Sequence, residues 1–115
     1  MSKKEKLNKI GKLIGQKTAN EILREIANKI NEEKDIPHWK ASYSNYDNVL
    51  AKVYVNLNSD DIKIIKNIAK KTAIKKLKSE KEYSTIEFDV GNFIDDIPDT
   101  EIEHKLDKHI QEFID

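Results

Sequence analysis

"WKASYSNYDNVLAKVYVNL", residues 39–57, is the stretch whose reading decides the fold class. Trp39, Ala41 and Tyr43 alternate with polar residues. Val49, Ala51, Val53, Val55 and Leu57 alternate with Leu50, Lys52, Tyr54 and Asn56, and Ser44-Asn45-Tyr46-Asp47-Asn48 between the two runs has the composition of a turn. A period of two places every second side chain on one face of a strand, so the spacing predicts a hairpin with a five-residue loop. A third strand is expected from Tyr83 to Val90, with Ile86, Phe88 and Val90 on one side, Glu87 and Asp89 on the other, and Gly91 at its end.

Helical spacing flanks these segments. Ser2-Lys3-Lys4-Glu5 and Thr18-Ala19-Asn20-Glu21 both fit the capping box, in which a hydroxyl and a carboxylate satisfy helix-start amides reciprocally. Two N-terminal helices follow. The first carries Leu7, Ile10, Leu13 and Ile14, and the second Ile22, Leu23, Ile26, Ala27 and Ile30. The apolar stripe swings about the axis between them, which favours a break near Gly15 over one unbroken helix from 3 to 33. The series Gly11-x3-Gly15-x3-Ala19 also has the spacing that permits close helix approach, but in so charged a segment the glycines read as punctuation. Ile36-Pro37 closes the region, because proline disfavours helix at the residue before it.

Ser59 is the expected cap of a long helix running through "DDIKIIKNIAKKTAIKKLKSEK", residues 60–81, with Asp60 and Asp61 at its positive end. This stretch holds eight lysines and no arginine. At 3.6 residues per turn Ile65, Ile68, Ala69 and Thr72 share a face with Ile62 beside them, and Lys63, Lys66, Lys70, Lys71 and Lys78 fall on the opposite side. Lys76, Ile74 and Leu77 depart from that division. Residues 92–98 read as a linker with apolar anchors Phe93, Ile94 and Ile97, and residues 99–114 as a last, acidic helix with the ridge Ile102, Leu106, Ile110 and Phe113. The expected fold class is therefore α+β: two N-terminal helices, a small three-stranded mixed sheet with one long basic helix, and an acidic C-terminal helix, in a single domain over 1–115.

Composition bounds the function. The 115 residues are 37% hydrophobic and 37% charged, which predicts a thin core and makes a homodimer or a protein partner an economical way to cover apolar stripes. The absence of cysteine removes disulfides, thiolate zinc sites and thiol catalysis, and makes the cytoplasm the natural compartment. No apolar run suits a signal peptide or a membrane span. The formal charge is zero, yet residues 1–82 hold 19 basic and 11 acidic side chains against 2 and 10 in residues 83–115. Such asymmetry suggests a polyanion-binding body with an acidic segment that folds back over part of it.

Nucleic acid is accordingly the first expected partner, held mainly by backbone electrostatics and without enzymatic activity. Lys63, Lys66, Lys70, Lys71 and Lys78, with Lys40 and Lys52 of the hairpin, would meet phosphates. Tyr46 and Tyr54 are the outward aromatics on which bases would stack, while Trp39 and Tyr43 read as core anchors. The bland reading of the same lysines is a solvated helix face. The alternative function is a protein-interaction module, an inhibitor, immunity or adaptor protein, whose ridge Ile102, Leu106, Ile110 and Phe113 lies in a partner's groove.

No catalytic residue, cofactor or metal is expected. Glu101 and His104 have a di-iron spacing but only one such motif is present. His104 and His109, five apart, point to different sides of a helix. Glu87 and Asp89 read as a solvated strand face. Pro98-Asp99 with Glu103-His104-Lys105 imitates a nuclease motif, but the two parts lie too close together in the chain.

Overall fold

The computed structural model describes residues 2–29, 46–53, 55–82 and 94–114. It overturns the α+β expectation: the described residues form a helical protein of four helices, with no strand among them. Helix α1 spans Lys3–Lys29. Helix α2 is a short turn over residues 46–50. Helix α3 spans Ser59–Glu82 and α4 spans Asp99–Ile114.

One helix replaces the two expected at the N-terminus. Its start carries the hydroxyl half of the expected capping box: the Glu5 N–H donates to Ser2 Oγ at 3.2 Å. The second capping box does not form. Thr18 instead lies within the helix and donates its hydroxyl to the Ile14 carbonyl at 2.8 Å, a local bond that a buried helical threonine makes without breaking the ladder. The swing of the apolar stripe has another origin than a kink. Every residue from 17 to 23 is buried, so the middle of α1 is enclosed and needs no single apolar face.

The glycines are contact points rather than punctuation. A Cβ on Gly11 would lie 2.6 Å from Ile68 Cγ2, and one on Gly15 would lie 2.5 Å from the Ala69 carbonyl oxygen and 2.7 Å from Thr72 Cβ. Only hydrogen fits there. The pairing of Lys3 with Asp61 at one end, Gly11 with Ile68, and Gly15 with Ala69 and Thr72 runs in the same sense along both chains, so α1 and α3 lie parallel. The C-terminal end of α1 and the N-terminal end of α3 therefore lie at opposite ends of the pair.

The described residues of 49–57 form no strand. Three short bonds close this segment as turns: Ala51 N–H to the Asp47 carbonyl, Lys52 N–H to Val49 and Val53 N–H to Leu50, each 3.1 Å. Leu50 is buried, and Val53, Val55 and Leu57 pack partly buried against the core. Alternating apolarity here records one-sided burial of an irregular segment, which needs no ladder partner. The expected strands over 39–43 and 83–90 lie outside the described residues.

The cap of the lysine helix lies one residue earlier than predicted. Asn58, rather than Ser59, makes a reciprocal pair: the Asp61 N–H donates to Asn58 Oδ1 at 2.8 Å and the Asn58 N–H donates to Asp61 Oδ2 at 3.0 Å. Lys3 adds an ion pair to the same carboxylate at 2.7 Å. The Lys3 hydrogen bond, followed by that from Asn58, holds the Asp61 carboxyl below its ordinary range. Helix α4 is preceded by Pro98, whose carbonyl accepts from the Glu101 and Ile102 amides. It packs antiparallel across both long helices, with Ile102, Leu106 and Ile110 buried among Leu7, Ile10, Ile14, Ile22 and Ile65 of the core, and Phe113 partly buried against it. Ile94 and Ile97 of the expected linker also pack on this core, so the approach to α4 is anchored.

The glycine seam yields a sharp test. Gly→Ala in an exposed helix stabilises by roughly 0.5–1 kcal/mol. At Gly15 the new methyl meets backbone that cannot yield, so Gly15→Ala should destabilise by about 1–3 kcal/mol. Chemical denaturation of the variant checks this, and an equal or higher stability would contradict the close parallel packing.

Candidate nucleic-acid interface and buried charge cluster

The five lysines singled out on α3 divide into two groups. Lys63, Lys71 and Lys78 are exposed. Lys66 and Lys70 are half-buried under α4, where Lys66 Nζ lies 3.0 Å from Asp107 and Lys70 Nζ 2.7 Å from Glu103. The hydrogen bond from Lys70 holds the Glu103 carboxyl below its usual range, and the same bond raises the Lys70 ammonium. Helix α4 of the acidic segment thus lies against the rim of the lysine face.

Away from α4 the lysines stand together. A groove of about 400 Å³ between α1 and α3 is lined by Lys12, Gln16, Thr72, Lys75, Lys76 and Ser79. A second hollow of about 590 Å³ adjoins it, bounded by Lys71, Ile74, Lys75, Lys78 and Ser79. Lys12, Lys63, Lys71, Lys75, Lys76 and Lys78 form no ion pair among the described residues, whereas Lys3, Lys17, Lys66, Lys70, Lys105 and Lys108 each face a carboxylate. Lys12, Lys75 and Lys76 were not legible as site residues from α3 alone. The parallel docking of α1 brings them to one groove, and the departure of Lys76 from the outward face was its only sequence signal.

The hairpin lysines and tyrosines do not join this surface. Lys52 is exposed in the turn after α2 and Tyr46 is partly buried in α2 itself. Lys17 Nζ ties α2 to α1 through Asp47 at 2.6 Å, and Lys17 lies about 140° around the helix from Lys12. The groove and the Tyr46 segment are therefore on different sides of α1. Lys40 and Tyr54 lie outside the described residues. The ridge Ile102, Leu106, Ile110 and Phe113, read as a partner-binding element, faces inward to the core. The apolar stripes that made a homodimer economical meet within one chain, and exposed Ile64 and Ile114 are the large apolar side chains left outside among the described residues.

A second constellation escaped the sequence. His109 is buried against α1, its Nε2 directly on the Glu21 carboxylate and its Nδ1 3.5 Å from Glu112. Lys105 bridges Glu25 at 2.8 Å and Glu21 at 3.8 Å, and Lys108 reaches Glu21 at 3.6 Å. Hydrogen bonding from His109 is the main reason the Glu21 carboxyl falls to about 2; burial opposes it, and the charges of His109, Lys105 and Lys108 assist. His109 and Glu112 also line a cleft of about 660 Å³ walled by Leu50, Val53, Val55 and Phe113. The ring of His109 is held between two carboxylates, Glu21 at Nε2 and Glu112 at Nδ1. Thr18, three residues before Glu21, is committed to the Ile14 carbonyl and supplies no nucleophile. No cluster of three or more metal-ligating side chains occurs among the described residues. His104 is exposed, and Glu87 and Asp89 lie outside the described residues.

No family model, curated protein or solved structure matches this chain.

The depressed Glu21 carboxyl makes stability pH-dependent. Its folded value, about 2, lies below the ordinary 4.5, so its contribution is fully present above pH 4.5 and is lost as pH falls toward 2. The linkage is worth up to about 3 kcal/mol. Glu21→Gln should flatten the acid limb of stability against pH measured by denaturant titration, and an acid limb as steep as in the wild type would show that Glu21 is not the group responsible.

Proposed function

We propose that this is a small, non-enzymatic protein that binds nucleic acid through the lysine surface of α1 and α3, with contacts to the phosphate backbone and little base specificity. The observation that carries the reading is the sorting of charge in a neutral chain. Carboxylates pair with Lys3, Lys17, Lys66, Lys70 and Lys105, while Lys12, Lys71, Lys75, Lys76 and Lys78 gather around two adjoining hollows and form no ion pair among the described side chains. Uncompensated lysines repel one another, and a polyanion relieves that repulsion while releasing its own counterions.

Backbone contact rather than base stacking follows from what lines the hollows. Lysine ammoniums with Thr72, Ser79 and Gln16 supply donors for phosphate oxygens, and none of these residues is aromatic. Lysine in place of arginine fits point-charge contact and disfavours bidentate reading of bases. No helix among the described residues is long and apolar enough to cross a membrane. The reading places the protein in the cytoplasm, where a cysteine-free charged chain meets nucleic acid.

Fluorescence anisotropy with a labelled oligonucleotide tests this at two salt concentrations. About four or five phosphate contacts give a slope of log K against log salt near −4 for a duplex. Lys71→Glu, Lys75→Glu and Lys78→Glu together should weaken binding alike for unrelated sequences and reduce the slope. No binding at low salt, or binding unaffected by the triple variant, would overturn the proposal.

A further inference from the structure

Lys66 and Lys70 belong to the same helix as the unpaired lysines, yet the α4 flank of that helix has the opposite sign. Asp107 and Glu103 engage the two ammoniums directly, and Asp99 adds its field at Lys70, so three carboxylates stand against two lysines. We propose that Glu103 and Asp107 act as built-in competitors for phosphate, confining the polyanion to the Lys71–Lys78 side of α3 and holding Lys66 and Lys70 out of the site. The inference rests on the nucleic-acid reading and concerns how that site is limited.

The competition acts through charge and not through movement of α4. Leu106 is fully buried, Ile102 and Ile110 nearly so, and Ile94 and Ile97 anchor the lead-in, so lifting the helix would open the core. The ion pairs themselves are another matter. The side chains of Lys66 and Asp107 are 39% and 57% exposed and those of Lys70 and Glu103 35% and 42%, which places all four at the water boundary, where pairs hold weakly and exchange partners. A phosphate can therefore replace either carboxylate on its lysine while α4 stays docked. Two lysines gained in this way lengthen the site toward Lys63, along the same face of α3.

Neutralising the carboxylates isolates the effect. In the full chain, Glu103→Gln with Asp107→Asn should raise affinity for a mixed-sequence duplex about three- to tenfold near 50 mM salt and steepen the log–log salt slope by roughly 1–2, at about 0.9 per lysine freed. Lys66→Gln with Lys70→Gln should change little in the wild type and abolish the gain in the neutralised background. Asp96→Asn with Glu101→Gln changes net charge equally at exposed carboxylates that do not pair with Lys66 or Lys70, and should leave the slope unchanged. A wild type that binds, with no gain in the neutralised variant, overturns the competition and leaves the nucleic-acid reading standing. Loss of wild-type affinity in Lys66→Gln/Lys70→Gln as large as in Lys71→Gln/Lys75→Gln overturns it independently, even if the neutralised variant fails to fold. No binding by the wild type at low salt overturns the nucleic-acid reading and, with it, the competition that rests on it.

Discussion

The parallel seam between α1 and α3 is the contact on which the remaining structure depends. Gly11 and Gly15 let the backbone of α1 approach Ile65, Ile68 and Ala69 so closely that no side chain fits between them. Such contact gains dispersion over many atom pairs and fixes both register and direction. The direction matters most. Parallel helices place Lys12 and Gln16 of α1 beside Thr72, Lys75, Lys76 and Ser79 of α3, and leave the opposite side of the pair for α4 to cover.

Charge follows this geometry. Helix α4 lays its apolar ridge into the α1–α3 pair and brings acids to one flank and bases to the other: Glu103 and Asp107 meet lysines of α3, while Lys105 and His109 meet Glu25 and Glu21 on α1. Acid and base are thereby matched on the α4 side and unmatched on the other. A chain of zero net charge acquires a polar asymmetry in space that its total conceals. The pair of His109 and Glu21 belongs to the matched side and joins α4 to α1 through buried charge, an arrangement that is strongly destabilising to break from one partner.

Periodicity made α3 and α4 legible. Both have an apolar stripe at helical spacing, acids in the first turn and a clear start, and the outward direction of Lys63, Lys71 and Lys78 followed from 3.6 residues per turn. The same rule misled at Val49–Leu57. Alternation reports that one side of a segment is buried, and Leu50, Val53, Val55 and Leu57 satisfy that requirement beside helices without any ladder. At Gly15 the difficulty was different, because a glycine that ends a helix and one that admits a neighbour look alike until the neighbour is known. The groove lysines and the His109–Glu21 pair were hidden for a related reason. Lys12 is 63 residues from Lys75 and Glu21 is 88 from His109, and no local pattern registers contacts set by the docking of one helix on another.

An NMR titration of the labelled protein with a short duplex compares the two sides of the molecule in one experiment. If the seam between α1 and α3 builds the binding surface, amide shifts should concentrate at residues 12–16 and 71–79 and leave 46–53 and 108–114 nearly unmoved. Shifts centred on α2 and the C-terminal end of α4, or none at saturating duplex in low salt, would contradict the assignment of the lysine groove as the functional surface.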